Sequence, residues 1–340
     1  MNGKEFKDFI TKNAQRNIKN ILLPEGESLR VLKAAITCRN QGFCNPILIG
    51  NKKNIHQLAK QHSLGSISNL EIIDPSSCPS SYIQFLYDYC KKYYPSYEAA
   101  KEGIIDPLVL GSVMLKLNKV DGVVAGARYT TSDFLRYVFR IVGIKPGFEK
   151  AFSAMFVLLE NQVEVYIDCA VNINPSPKEL ANMAVTIANV ANKFNLQPKI
   201  ALISFQTLST YKKTLSKYPD YTKNLDQSVA KALKATLIAK ELNPNLKIDG
   251  PLQYDAACCP IVAQEKNANA IINGDANIFI FPDITSANAV YKAVQKKTNS
   301  QSVGPIVLGL NKPMNDLSRG SSVEDIVFTI IATAAQSNFS

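Results

Sequence analysis

A short apolar run, Ile21-Leu22-Leu23, leads through the turn Pro24-Glu25-Gly26 into a helix and then into a second apolar run, Pro46-Ile47-Leu48-Ile49. Ser28 caps that helix, which is predicted to extend to Arg39, and Gly42 ends it. A strand, a crossover helix and a second strand pack as a parallel pair, so this opening constrains the fold more than any other feature. The alternation continues. Helix is predicted at Lys53–His62 and strand at Leu70–Ile73, helix at Ile83–Tyr94 and Ile104–Leu117, and strand at Asp121–Ala127. It resumes with helix Ser176–Phe194, strand Lys199–Ser204, helix Asp226–Leu242 and strands Asn277–Phe281 and Gly304–Leu308. Ala151–Leu159 and Val163–Asp168 are strands with no helix between them. The fold class is therefore α/β with mostly parallel sheets. Lys145-Pro146-Gly147 breaks both kinds of element and marks a domain crossing. A chain of 340 residues fits two domains of about 100–200 residues each.

Composition removes several classes of function. The hydrophobic share of 46% is that of a globular protein with a real core. No apolar run approaches the roughly 18 residues that span a bilayer. The opening MNGKEFKDFITKNAQ carries acids and no apolar leader segment, so a cytoplasmic protein with no membrane partner is expected. Seven cysteines without a C-x-x-C pair point to reduced thiols. The only histidines, His56 and His62, share one predicted helix, which leaves no basis for a histidine triad or a multi-histidine metal site. The net charge of +10 comes from dispersed lysines, a solvated surface rather than a nucleic-acid stripe. Three of the seven arginines fall together at 128–140.

Three stretches carry the chemistry. Between Gly309 and Gln336 a strand ends, a polar loop follows, and Ser322-Val323-Glu324-Asp325 opens an apolar helix with capping-box spacing. Ser318, Arg319, the free N–H groups of that helix start and Asp325 then lie within one short segment, equipped to hold an anion and accept a proton. A Ser–Asp capping pair can also do no more than start a helix. The second stretch, GARYTTSDFLR, follows a strand and a glycine turn with Thr130, Thr131, Asp133 and Arg136, a common anion-binding arrangement and equally a common structural one. In the third, Asp168 and Cys169 stand at the C-terminal end of a strand, where open α/β sheets take ligands. No basic neighbour activates Cys169, so a packed, inert thiol is expected.

The wording of these stretches resembles the phosphate acetyl/butyryl transferase family. GPIVLGLNKPMNDLSRGSSVED resembles its C-terminal signature, and ILLPEGESLRVLKAA its opening LPEGxxxRVLKAA. GARYTTSDFLR is similar to GAxHSTADTVRP, YIDCAVNINP to ADCAVNxNP, and DGPLQYDAA to DGELQFDAA. The helix with Asn288, Tyr291 and Lys292 is similar to NIGYKxxQR. The resemblance covers roughly residues 18 to 337 in one register.

The resemblance implies two α/β/α domains of the isocitrate/isopropylmalate dehydrogenase-like kind, with mostly parallel sheets and a cleft between them. Residues 1–147 and 305–340 would form the first, and 148–304 an inserted, dimerising second. It implies reversible acetyl transfer between acetyl phosphate and coenzyme A by direct thiolate attack in a ternary complex. Coenzyme A would be a substrate, with no permanent cofactor and no metal. Asp325 would deprotonate the thiol, and Arg319 and Ser318 would hold acetyl phosphate. Thr130, Thr131, Arg136, Cys169, Asn315, Tyr291 and Lys292 would line the substrate site. A homodimer is implied.

The chain departs from the pattern at several places. Cys90, followed by Lys91 and Lys92, stands where the family has an arginine associated with coenzyme A, so Arg136 with Lys91 or Lys92 is expected to meet its phosphate. Tyr129 replaces a histidine, Arg128 a smaller residue and Tyr137 a proline, changes expected to reshape the acyl pocket. SFQTLSTYKKT lacks a loop glycine at Leu208. Butyryl or propionyl transfer, and a non-catalytic acetyl coenzyme A-binding role, remain as alternatives. A related dehydrogenase would need a metal-binding acid cluster or a GxGxxG loop, and neither is present.

Overall fold

The computed structural model describes residues 1–207, 225–267 and 271–338. Its strands, in chain order, are β1 (Asn20–Leu23), β2 (Asn45–Ile49), β3 (Glu71–Ile73), β4 (Gly122–Ala125), β5 (Phe152–Leu158), β6 (Val163–Ile167), β7 (Ile200–Ile203), β8 (Ile248–Leu252), β9 (Ile278–Ile280), β10 (Gln301–Leu308) and β11 (Met314–Asp316). The chain divides into two compact units, residues 7–151 with 303–340 and residues 1–6 with 152–302.

The unit containing residues 7–151 is built on a five-stranded sheet of order β11-β4-β1-β2-β3, parallel throughout. Sheets covered on both faces require strands that are apolar on both sides, and every residue of β4 and all but the first of β1 and β2 are buried. The helix Leu29–Asn40 turns Val31, Leu32, Ala34, Ala35 and Cys38 inward and packs on the helix Val323–Ser337. On β1, β2 lies to one side and β4 to the other. Strand order therefore reverses at β1, and the carboxyl ends of β1 and β4 flank the crevice where such sheets take ligands.

The other unit carries β5-β6-β9-β7-β8 in that order, with β10, through which the chain leaves the unit, at the β5 edge. β5 and β6 are antiparallel, as expected for strands joined without a helix, and the pairs β6–β9, β9–β7 and β7–β8 are parallel. The first residues belong here because Gly3 N–H bonds the Leu159 carbonyl at 3.0 Å and Phe6 stacks on Phe156 at 5.5 Å. The crossings fall at 151–152 and 302–303, a few residues from those expected at 147–148 and 304–305.

Several elements differ from expectation, three of them near the site. The helix expected over Ile83–Tyr94 spans Ser80–Tyr89, and the backbone turns at Cys90 ahead of Pro95. The helix expected from Ile104 starts at Pro107, because Asp106 accepts the Leu108 N–H at 2.8 Å and so sets the first turn. β11 was legible only as polar loop, since its Asn315 and Asp316 carry no apolar alternation. Leu208 lies outside the described residues. Among those residues, no helix is long and apolar enough to cross a membrane.

Candidate active site

The segment after β11 forms a tight loop. Ser321 N–H closes on the Ser318 carbonyl at 2.8 Å, and Gly320 N–H approaches Ser318 Oγ at 3.4 Å. The expected capping box is present: Ser322 Oγ accepts from Asp325 N–H at 3.1 Å, and Asp325 Oδ2 accepts from Ser322 N–H at 2.9 Å. Asp325 thus sits at the positive end of a fifteen-residue helix. Arg319, two residues before the buried Ser321, is exposed and makes no ion pair among the described residues.

The turn after β4 meets this loop. Thr130 caps the helix Thr131–Tyr137 by accepting from Asp133 N–H at 3.1 Å, and its hydroxyl donates to Asp133 Oδ2 at 2.7 Å. Thr131 Oγ1 donates to Asp316 Oδ2 at 3.0 Å across 185 residues of sequence. Arg30 spans the two loops, giving one guanidinium N–H to the Ala127 carbonyl at 3.0 Å and another to the Ser321 carbonyl at 2.5 Å. Gly126 has φ +110°, and a methyl group there would collide with Asp316 Oδ1 and with Leu317 N–H. Arg136 pairs with Asp133 at 3.2 Å on the surface, an attachment weak enough for an anionic ligand to displace.

The backbone amides of that turn are not open to a ligand. Glu25, buried at the end of β1, accepts from the N–H groups of Gly126, Ala127, Arg128 and Tyr129 at 2.5 to 3.0 Å. The anion-binding turn read from the sequence is filled by the protein's own carboxylate.

Asp316 is 2% exposed, and its Oδ1 has no hydrogen-bond partner. Burial pushes its carboxyl up to about 7; the Thr131 hydroxyl and the neighbouring Leu317 N–H oppose the rise, and Glu25 adds a smaller push upward.

The departures at 129 and 137 have a joint explanation. Tyr129 and Tyr137 both donate to Asp106, at 2.8 and 3.2 Å, and Asp106 caps the helix Pro107–Lys116. Burial and then the Asp106 charge push both phenols up, so they serve as donors rather than acids. Tyr129 and Arg128 border a cavity of about 380 Å³ together with Pro24, Glu25, Gly50 and Pro107. It opens at the strand-order reversal described above.

Cys90 does not reach the surface. It is 3% exposed, within the core under the sheet, and its thiol donates to the Arg140 carbonyl at 3.4 Å. Burial raises the thiol, while Arg140 and Lys116 pull it the other way. The Arg140 guanidinium stacks on Tyr93 at 3.9 Å, so a planar cation stands beside the helix end where the family arginine was expected. Lys91 lies on the exposed surface, 3.9 Å from Asp88.

In the other unit, Asp168 organises the loop after β6. It accepts from Ser153 N–H at 2.9 Å, Ser153 Oγ at 2.5 Å, Asn172 N–H at 2.9 Å and Asn172 Nδ2 at 2.6 Å. Cys169 is 1% exposed and gives its thiol to the Tyr166 carbonyl at 3.4 Å. Burial pushes that thiol well up, Asp168 adds to the rise, and Lys292 opposes it. Tyr291 packs its ring in the same core, Lys292 is exposed, and Asn288 Nδ2 bonds the Cys169 carbonyl at 3.0 Å.

Asn315 is fully buried: Oδ1 accepts from Val307 N–H at 2.8 Å, and Nδ2 donates to Thr333 and Gln336 at 2.8 and 2.9 Å. These three bonds, including both amide donors, tie β11 to β10 and to the last helix. Glu25, Arg30, Asp106 and Asp316 were missed. Three of these four are acids beside a strand or helix end, a position that signals loop-holding carboxylates.

A family model described as phosphate acetyl/butaryl transferase matches residues 5–334. The chain is 39% identical over 331 residues, 97% of its length, to a phosphate acetyltransferase of Haemophilus influenzae, and 41% identical over 318 residues to one of Acinetobacter baylyi. These matches cover 45% and 42% of the two relatives, so the chain spans about half the length of the curated relatives it matches. A solved phosphotransacetylase from Streptococcus pyogenes superposes with a TM-score of 0.86 at 34% identity, covering all of both chains.

Proposed function

The chain belongs to the phosphate acetyl/butyryl transferase family, and on that premise we propose that it moves an acetyl group reversibly between acetyl phosphate and coenzyme A. The observation that carries this reading is the meeting of two loops far apart in sequence. Arg30 holds both, and Thr131 bonds Asp316 between them. Hydroxyls, an arginine with no ion pair among the described residues and a carboxylate at a helix start are thereby gathered in one unit.

In the forward direction Asp325 takes the proton from the coenzyme A thiol. The thiolate sulfur bonds the acetyl carbonyl carbon, the carbon–oxygen bond to phosphate breaks, and phosphate leaves with that electron pair. Arg319 and Ser318 stabilise the charge that gathers on the departing phosphate. Thr130 and Thr131 line the substrate site beside them. Arg136, released from Asp133, meets a phosphate of coenzyme A together with Lys91 or Lys92. Transfer is direct, in a ternary complex, with no metal or resident cofactor. Of the three substrate residues expected in the other unit, Cys169 and Tyr291 are buried in its core and Lys292 is open to a ligand. The working form is a cytoplasmic homodimer joined through that unit.

The deciding experiment is phosphate- or arsenate-dependent breakdown of acetyl coenzyme A by the purified chain, beside propionyl and butyryl coenzyme A. Preferential loss of the acetyl thioester supports the reading. Preference for butyryl coenzyme A moves the assignment to the longer acyl group. Tight binding of acetyl coenzyme A without breakdown replaces the enzyme with a binding protein.

A further inference from the structure

We propose that Asp316 is a positioning residue that sets, through Thr131, which way the Thr131 hydroxyl hydrogen points, and so makes anion binding at this site depend on pH. The geometry is a buried carboxyl at the end of β11 whose Oδ2 meets Thr131 Oγ1 at 3.0 Å and whose Oδ1 has no partner. An ionised carboxylate buried with one oxygen unsatisfied is costly, and a neutral acid is less so. The two protonation states direct the same pair of oxygens differently. When Asp316 is ionised, Thr131 must give its hydrogen to Oδ2. When Asp316 is neutral, its own O–H donates to Thr131 Oγ1, and the Thr131 hydrogen is free to turn toward a bound oxyanion.

The groups around Asp316 support this. Glu25, from the end of β1, is the charged side chain that acts on it, and it pushes the same way as burial. Arg30, from the helix Leu29–Asn40, is engaged with the Ala127 and Ser321 carbonyls. From the helix Thr131–Tyr137 the facing group is Thr131 itself. The two histidines belong to another element, His56 within the helix Lys52–Gln61 and His62 at its end. The carboxyl's value of about 7 puts the switch in the working range.

The inference rests on the reading that the phosphoryl group lies against Thr131, and its test does not require turnover. Sulfate is a tetrahedral dianion that does not titrate near neutrality, so calorimetric binding of sulfate from about pH 6 to about pH 9 reads the protein's proton alone. Wild-type affinity should fall about tenfold per pH unit above the Asp316 transition. In Asp316→Asn the amide N–H takes the place of the acid O–H, and affinity should stay high and flat across the range. In Thr131→Val affinity should be weak, with most of the pH dependence gone. The Michaelis constant for acetyl phosphate should follow the same three profiles, with kcat changing far less. A flat wild-type profile, or a wild-type slope that persists in Asp316→Asn, overturns the inference. A sloping sulfate profile in a chain that does not turn over acetyl coenzyme A would overturn the proposed reaction and leave this inference standing.

Discussion

The Arg30 guanidinium donates to the Ser321 carbonyl at 2.5 Å across 291 residues of sequence, and the same side chain reaches Ala127. A planar fork can serve two carbonyls at once, whereas an ammonium is a point charge. Arg30→Lys should therefore lose one of the two bonds, and Arg30→Ala both, at about 1.5–3 kcal/mol for each charged hydrogen bond. Both variants should remain folded. Their Michaelis constants for acetyl phosphate should rise, more in Arg30→Ala, because the loops carrying Thr131 and Arg319 are no longer held together. Unaltered kinetics in Arg30→Ala would mean that the loops hold their places by packing alone.

Asp325 has two roles that one substitution can separate. Asp325→Asn keeps a side-chain oxygen to accept the Ser322 N–H and keeps the backbone N–H that Ser322 caps, so the helix should persist. It removes the proton acceptor, and turnover should fall by about 100- to 10,000-fold. Circular dichroism with steady-state kinetics checks both halves. Near wild-type turnover would reduce Asp325 to a helix cap.

Asp316 ties stability to pH. Its folded carboxyl titrates near about 7, above the unfolded value of roughly 3.9, so between those values the folded chain holds a proton that the unfolded chain has lost. Stability from this group should fall as pH rises through that window and level off above it. About three pH units at about 1.4 kcal/mol each set a ceiling near 4 kcal/mol. Asp316→Asn should thus unfold at higher denaturant than wild type at neutral pH, with the gap closing near pH 4. A gap that does not change with pH would remove Asp316 from this account.

Cys90→Arg tests whether position 90 can receive the family's cation. The side chain would enter a core position beside Arg140 and Lys116, two like charges. An uncompensated buried charge costs about 3–5 kcal/mol, so the variant should unfold earlier and bind coenzyme A no better. A normal melting temperature with a lower Michaelis constant for coenzyme A would show that the helix end opens to the surface.

Cys169→Ala should keep most of the turnover, because a buried thiol pushed well above its ordinary value carries little thiolate. The lost sulfur should lower stability by about 1 kcal/mol. A labelled acetyl thioester recovered at Cys169, or ping-pong kinetics, would require a covalent intermediate after all.

The sequence made the alternating strands and helices legible because both faces of a parallel sheet demand unbroken apolar runs, as at Leu22 and Leu48. It made the capping box at Ser322 legible because that signal is local. β11 was not, since its pairing with β4 is decided by a partner strand nearly two hundred residues away. The partners of Asn315 were illegible for a related reason: a polar residue in a motif does not announce that it bonds Val307, Thr333 and Gln336. Arg30 and Glu25 escaped notice because each acts on backbone groups, which leave no trace in the identity of the residues they hold.

The four hydrogen bonds that backbone N–H groups give to Glu25 bear on how this chain could drift from its relatives. A loop fastened through its main chain keeps its path whatever side chains it displays. Arg128 and Tyr129 could therefore enter where other residues usually stand without the turn being remade, and Tyr129 found a new anchor in Asp106. A charge-removing change at Glu25 should therefore be harder to absorb than a replacement of Arg128 or Tyr129.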